Sequence, residues 1–131
     1  MSSAVSRIPA ADSKKALEHF SKLLEFESDC WDVHHAMHNN KQDFILLDVR
    51  SELAFEQNHI AGAVNLPHQK IIHKTLSEYA ANTLFVVYCA GPHCNATEKA
   101  AIRLAQLGRP VKKMIGGITG WLDEGFELEA C

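Results

Sequence analysis

Long apolar runs are missing from this sequence. Its most hydrophobic stretches, "DFILLDV" and "TLFVVYC", are far shorter than the roughly 20 residues a membrane-spanning helix needs. The opening segment, "MSSAVSRIPAADSKKALEHF", has no apolar centre of the kind a secretory leader carries. Both absences lead to the expectation of a cytoplasmic protein with no membrane partner. Basic runs are missing too: the formal net charge is −3 and Lys and Arg are scattered, so no stripe is offered to a phosphate backbone and no nucleic-acid partner is expected. There is no repeat, low-complexity tract or Pro/Gly/Ser-rich linker. At 131 residues and 47% hydrophobic composition, the chain is long enough for one core and too short for two. Cysteines are few. Cys30, Cys89, Cys94 and Cys131 lie too far apart for a disulfide framework, and in a reducing compartment such thiols are buried, catalytic or redox-active. Nothing in the sequence sets an oligomeric state.

What is present alternates between helical and strand-like periodicity. Ala16, Leu17, Phe20, Leu23 and Leu24 recur at helical spacing after Asp12, a good N-cap, and predict a helix to about Phe26. This helix reads as an added layer, giving an N-terminal extension over 1–28 and a main domain over 29–131. Next come an extended piece near Cys30, a helix near Asp32 to His38, and "DFILLDV", whose unbroken apolar run suits a strand covered on both faces. A short helix from Ser51, the turn "HIAGAVNLP" and a helix around His68 to Tyr79 lead to the second such strand, "TLFVVYC". A helix over Asn95 to Leu107, stopped by Gly108 and Pro110, a strand "VKKMI" and a short helix "GITGWLDEG" complete the chain. Strands separated by helices predict an α/β fold with a mostly parallel sheet flanked by helices. In such sheets ligands bind beyond the carboxyl ends of the strands.

That rule draws attention to "VVYCAGPHCNAT", Val86 to Thr97. Cys89 ends a buried strand just before a helix. There, turn N–H groups and the helix N-terminus supply positive potential, which lowers a thiol pKa and favours the nucleophilic thiolate. The bland alternative is a core cysteine at a strand end.

"LLDVRS", "HIAGAVNLP", "VVYCAGPHCNAT" and "GGITGW" stand in the order and spacing of single-domain rhodanese-like proteins, and the chain resembles that family from about Cys30 to Phe126. The resemblance implies a five-stranded, mostly parallel sheet and a sulfurtransferase that carries sulfane sulfur as a cysteine persulfide. Cys89 inherits the nucleophile's role. Ala90, Gly91, His93, Cys94 and Asn95 inherit the persulfide cradle, acting mainly through backbone N–H groups. The implied partners are a small sulfur donor, such as thiosulfate or a persulfide, and a thiol, a protein thiol or cyanide as acceptor. No metal and no organic cofactor is implied. Asp48 and Arg50 become loop-tying groups, His59 and Asn65 turn-organising groups, and Gly116, Gly117 and Trp121 close the floor on the active-site side, with Trp121 as packing.

The loop departs from the common pattern in three ways: it has no Arg or Lys, Pro92 contributes no N–H, and Cys94 is extra. The first departure argues for poor capture of a dianion such as thiosulfate. It also counts against a phosphatase or arsenate reductase, which needs an arginine to hold the oxyanion. His93 is read as a solvated polar residue with a partial charge at most. Cys94 either packs at the helix start or reacts with Cys89, and bridging requires Cα atoms within about 7 Å. His34 and His38 share a helical face, but no third ligand follows at zinc-site spacing. The rival readings are a non-catalytic rhodanese-like binding module and a thiol redox protein using Cys89 and Cys94.

Overall fold

The computed structural model describes residues 2–131. Strands β1 (Glu27–Ser28), β2 (Phe44–Asp48), β3 (Val64–Asn65), β4 (Leu84–Tyr88) and β5 (Val111–Met114) form one sheet in the order β1-β5-β4-β2-β3. Every pairing in it is parallel. The five-stranded parallel sheet with flanking helices is the α/β architecture expected from the alternating pattern. Helices α1 (Ser13–Phe26), α2 (Cys30–His38), α3 (Glu52–Gln57), α4 (Ala96–Gln106) and α5 (Gly117–Asp123) complete it. Among the described residues no helix is long and apolar enough to cross a membrane.

Period-two alternation along β2 and β4 divides the core between the sheet faces. Leu46, Val86, Tyr88 and Met114 pack on one side with Cys30, Val33, Ile118 and Trp121 from α2 and α5. Leu47, Phe85, Val87 and Cys89 pack on the other with Ala100 and Leu104 from α4. Cys89 therefore faces α4, while its neighbour Tyr88 faces the opposite layer.

Helix α1 begins where its sequence signal puts it, with the Asp12 carboxylate accepting the Lys15 N–H. None of its residues is buried, and Leu17, Phe20 and Leu24 are each more than 60% exposed. It is held through Lys112, whose Nζ donates to the Leu24 carbonyl, and through β1, which pairs with β5.

The helix expected over His68 to Tyr79 does not form as such. A single 3₁₀ turn, His68–Lys70, is followed by successive turns. Side chains take the place of the helical ladder here. Thr75 Oγ1 accepts the Ile72 N–H and bonds the carbonyls of Lys70 and Ile72. The Arg109 guanidinium donates to the carbonyls of Leu76, Tyr79 and Ala80. Ile71 and Leu76 are still buried against the α4 face, so the apolar spacing reports contact with the core while the backbone follows turns.

A polar knot fastens the carboxyl ends of the central strands. Asp48 is fully buried and receives Arg50 Nε at 3.0 Å, Arg50 Nη2 at 2.8 Å and the Tyr88 hydroxyl at 2.6 Å. The Tyr88 oxygen in turn accepts the Ile60 N–H at 3.2 Å. Burial, and then the charge of Asp48, push the Tyr88 pKa upward, keeping it a protonated donor. Tyr88→Phe removes both bonds from buried partners and should cost about 1–3 kcal/mol in urea denaturation, with an unchanged m-value.

Candidate active site

The carboxyl end of β4 runs directly into the turn that starts at Cys89. Cys89 is 3% exposed and lines a cleft of about 160 Å³ with Gly91, Cys94, Thr97, Glu98, Lys113, Gly116 and Gly117. Three of the six loop residues expected to act together thus meet in one cleft: Cys89, Gly91 and Cys94. Ala90, His93 and Asn95 do not line it. Ala90 is half-buried, His93 is exposed with its ring beside Gly91, and Asn95 is exposed at the N-cap of α4 with no side-chain capping bond.

The turn is held from outside by the start of α5. The N–H groups of Ile118 and Thr119 donate to the carbonyls of Cys89 and Ala90, each at 3.0 Å. This close approach requires glycine at 117. Its φ is +56°, and a Cβ would collide with the Cys89 carbonyl and lie 2.8 Å from the Gly91 nitrogen. Within the turn, the Cys94 N–H donates to the Gly91 carbonyl at 3.1 Å. One donor of the expected cradle is thereby engaged internally, in addition to the one that Pro92 lacks. The free N–H groups at the start of α4 remain as the nearby source of positive potential.

Cys89 and Cys94 are joined by a disulfide across this turn, with their Cα atoms 6.4 Å apart. The curled loop brings the two thiols within reach, as bridging demands. Cys30 is not a competing nucleophile. It is buried beneath Gly116 and Gly120, its Sγ donates toward the Ile115 carbonyl, and burial, followed by Asp29 and Glu124, pushes its thiol up to about 11.

The cation missing from the loop comes instead from β5. Lys113, opposite Val87 in the sheet register, faces the α4 layer, and its Nζ donates to Glu98 Oε2 at 2.9 Å. Glu98 also accepts the Thr97 hydroxyl, and the hydrogen bonds from Thr97 and then Lys113 hold its carboxyl below the usual carboxylate range. The cleft therefore contains an ion pair. Lys113, Glu98 and Thr97 were absent from the sequence-based candidates. The only trace of them there is the alternation in "VKKM" and the first turn of the preceding helix, α4, and neither identifies the cleft without the strand order.

The groups expected to organise the surroundings are near one another at the same end of the sheet. Asp48 and Arg50 form the knot described above, and Arg50 also donates to the Asn58 carbonyl. Burial disfavours the Arg50 charge, but the hydrogen bond and charge of Asp48 more than offset this and hold it firmly protonated. His59 is buried, stacked on Phe55 with ring centroids 3.7 Å apart; its Nδ1 bonds the Phe55 carbonyl, and its Nε2 lies 3.2 Å from Glu129 Oε1. Asn65 donates to the carbonyls of Asp48 and Arg50. Trp121 is 2% exposed and packs in the core. His34 and His38 stack on each other, and His34 stacks on Phe126 at 3.7 Å. Among the described residues no group of three metal-ligating side chains gathers.

Residues 32–124 match the family defined by the rhodanese-like domain. The chain belongs to that family. Among solved structures, the BH2092 protein of Bacillus halodurans is 35% identical with a TM-score of 0.87, over 91% of this chain and 87% of that one. The rhodanese-like domain of Alr3790 from Anabaena is 25% identical with a TM-score of 0.71, over 80% of this chain and 79% of that one. Among characterised proteins, an HTH-type transcriptional regulator of Mycobacterium tuberculosis, Rv0324, is 32% identical over 64% of this chain and 37% of its own length. The adenylyltransferase and sulfurtransferase UBA4 of Meyerozyma guilliermondii is 30% identical over 70% of this chain and 23% of its own. This rhodanese-like chain thus spans well under half the length of both characterised relatives.

The α5 clasp yields a direct test. Gly117→Ala should destabilise the fold by more than about 1 kcal/mol, because a Cβ is introduced at positive φ against backbone. In the reduced protein it should also slow iodoacetamide alkylation of Cys89, as followed by peptide mass spectrometry. Wild-type alkylation kinetics in a folded Gly117→Ala protein would show that the clasp does not set the loop.

Proposed function

We propose that this rhodanese-like domain is a sulfurtransferase that moves sulfane sulfur through a Cys89 persulfide. The observation that carries the reading is the placement of Cys89: at the carboxyl end of a central parallel strand, in a cleft beside the start of α4, with a Lys–Glu pair opposite. After reduction of the Cys89–Cys94 bond, the Cys89 thiolate attacks the outer sulfur of a sulfane donor. With thiosulfate, the bond from that sulfur to the sulfonate breaks, and sulfite leaves with the electron pair. A thiolate or cyanide then attacks the outer sulfur of the persulfide, forming an acceptor persulfide or thiocyanate and returning the Cys89 thiolate. No metal or organic cofactor enters either step.

The cleft chemistry supports a small persulfide donor over a dianion. Lys113 carries the positive charge, but Glu98 partners it and adds a negative one, so an incoming dianion meets little net attraction. A second reading, a thiol redox protein cycling Cys89 and Cys94, is favoured by the bridge between them. It is compatible with the first if the two thiols act in sequence.

Two experiments test the proposal. Incubation of the reduced Cys94→Ala protein, which lacks the neighbouring thiol, with a persulfide donor should add about 32 Da per sulfur atom bound, and Cys89→Ser should abolish both sulfur uptake and turnover while remaining folded. A Cys94→Ala protein left unmodified would return the domain to the binding-module reading. Glu98→Gln should lower the thiosulfate KM about fivefold, roughly 1 kcal/mol, by leaving Lys113 uncompensated at this partly exposed pair. A KM unchanged or raised would remove Lys113 from donor capture.

A further inference from the structure

Cys94 has no task in the transfer of sulfur from a donor to an external acceptor, yet it is built into the same turn as Cys89. Its N–H closes the turn on the Gly91 carbonyl, its side chain is half-buried beside the α4 core cluster, and it lines the cleft. The bridge joins its Sγ to the Sγ of Cys89. That connection is specific about which sulfur Cys94 can attack. In a Cys89 persulfide the Sγ of Cys89 is the inner sulfur, and the transferable sulfur lies one bond further out. The two remaining cysteines are free thiols placed elsewhere: Cys30 is buried under α5, and Cys131 is exposed, with its backbone N–H bound to the Glu56 carbonyl next to α3.

We propose that Cys94 is a resolving thiol and that the domain is a persulfide reductase releasing hydrosulfide. The inference rests on the Cys89 persulfide proposed above. The Cys94 thiolate attacks the inner sulfur of Cys89–S–SH. The Cys89–Cys94 bond forms, the bond to the outer sulfur breaks, and that sulfur departs as HS⁻ with the electron pair and the proton it already carried. The sulfane sulfur is reduced by two electrons, and the two cysteine thiols are oxidised to a disulfide. Two molecules of a small thiol, or one protein dithiol, reduce that disulfide by exchange, returning both cysteine thiols and leaving one external disulfide. The net reaction converts one sulfane sulfur and two thiol groups into hydrogen sulfide and a disulfide. External acceptors compete with Cys94 for the persulfide, so Cys94 diverts sulfur from transfer to release.

The reaction can be read in a single turnover of the full chain, reduced and then freed of reductant, with one equivalent of inorganic polysulfide. Wild type is expected to release about one equivalent of sulfide, to lose about 2 Da from its reduced mass, and to yield a tryptic 75–99 peptide with both cysteines bridged. Cys94→Ala and Cys94→Ser should instead hold about 32 Da on Cys89 and release sulfide at least about tenfold more slowly. The same variants should give more thiocyanate per sulfur loaded when cyanide is added. Wild type retaining the persulfide without sulfide release would overturn the resolving role, as would a persulfide appearing on Cys94 or variants releasing sulfide at the wild-type rate. The first and last of these outcomes leave the Cys89 sulfurtransferase reading intact, whereas a persulfide on Cys94 overturns the assignment of Cys89 as well. Failure of both wild type and the folded Cys94 variants to take up sulfur or release sulfide would instead overturn that reading, and this one with it.

Discussion

The buried carboxylate of Asp48 is the constraint on which the rest of this end of the molecule depends. An ionised carboxylate with no exposure to solvent is costly unless partners replace its water. Asp48 has them: two nitrogens of Arg50, the Tyr88 hydroxyl and the Arg50 backbone N–H. Each partner belongs to a different part of the chain or leads into one. Tyr88 is the last residue of β4, Arg50 opens the path to α3, and the Tyr88 oxygen reaches the 58–65 turn through Ile60. Satisfying one charge therefore fixes the relative heights of β2, β4 and the turn between them. Cys89 follows Tyr88 directly, so its position is inherited from that network although its sulfur faces the other layer.

A second set of contacts decides the path of the chain beyond Cys89. The first N–H groups of α5, which have no partner within their own helix, are directed at the Cys89 and Ala90 carbonyls. Gly117 permits the approach. The Asp48 network sets where the turn begins, and α5 sets how tightly it curls. A curl of this tightness brings Cys94 back to Cys89. The relation between the two cysteines is thus a consequence of backbone packing from two directions and needs no special property of the cysteines themselves.

Much of this was legible in the sequence where local signals agree with the tertiary environment. Asp12 as N-cap, the unbroken apolar runs of β2 and β4, and Asn95 before α4 have one reading each, and the elements lie within a residue or two of it. The stretch after His68 misleads because Ile71 and Leu76 have the apolar spacing of a helix, while Thr75 and Arg109 satisfy its backbone in turns. Lys113 was illegible for another reason. Its contribution to the cleft depends on β5 lying next to β4, and strand order is a long-range property that no local pattern encodes. Cys89 could be located from strand and loop alone. The cleft around it required the sheet.

The ion pair gives the cleft a charge character that the loop sequence by itself misstates. Without Arg or Lys, the loop reads as unfitted to an anion; with Lys113 alone, it would read as fitted to one. Glu98 resolves the difference, because the Thr97 hydroxyl and Lys113 together keep it ionised and engaged. A cleft holding a cation and an anion in contact presents a strong local field with little net charge. A dianion meets little net attraction there, and a singly charged or neutral ligand little net repulsion. For the proposed Cys89 persulfide, the fate of the outer sulfur depends less on charge than on which nucleophile stands nearest. In this loop the nearest sulfur to Cys89 belongs to the chain itself.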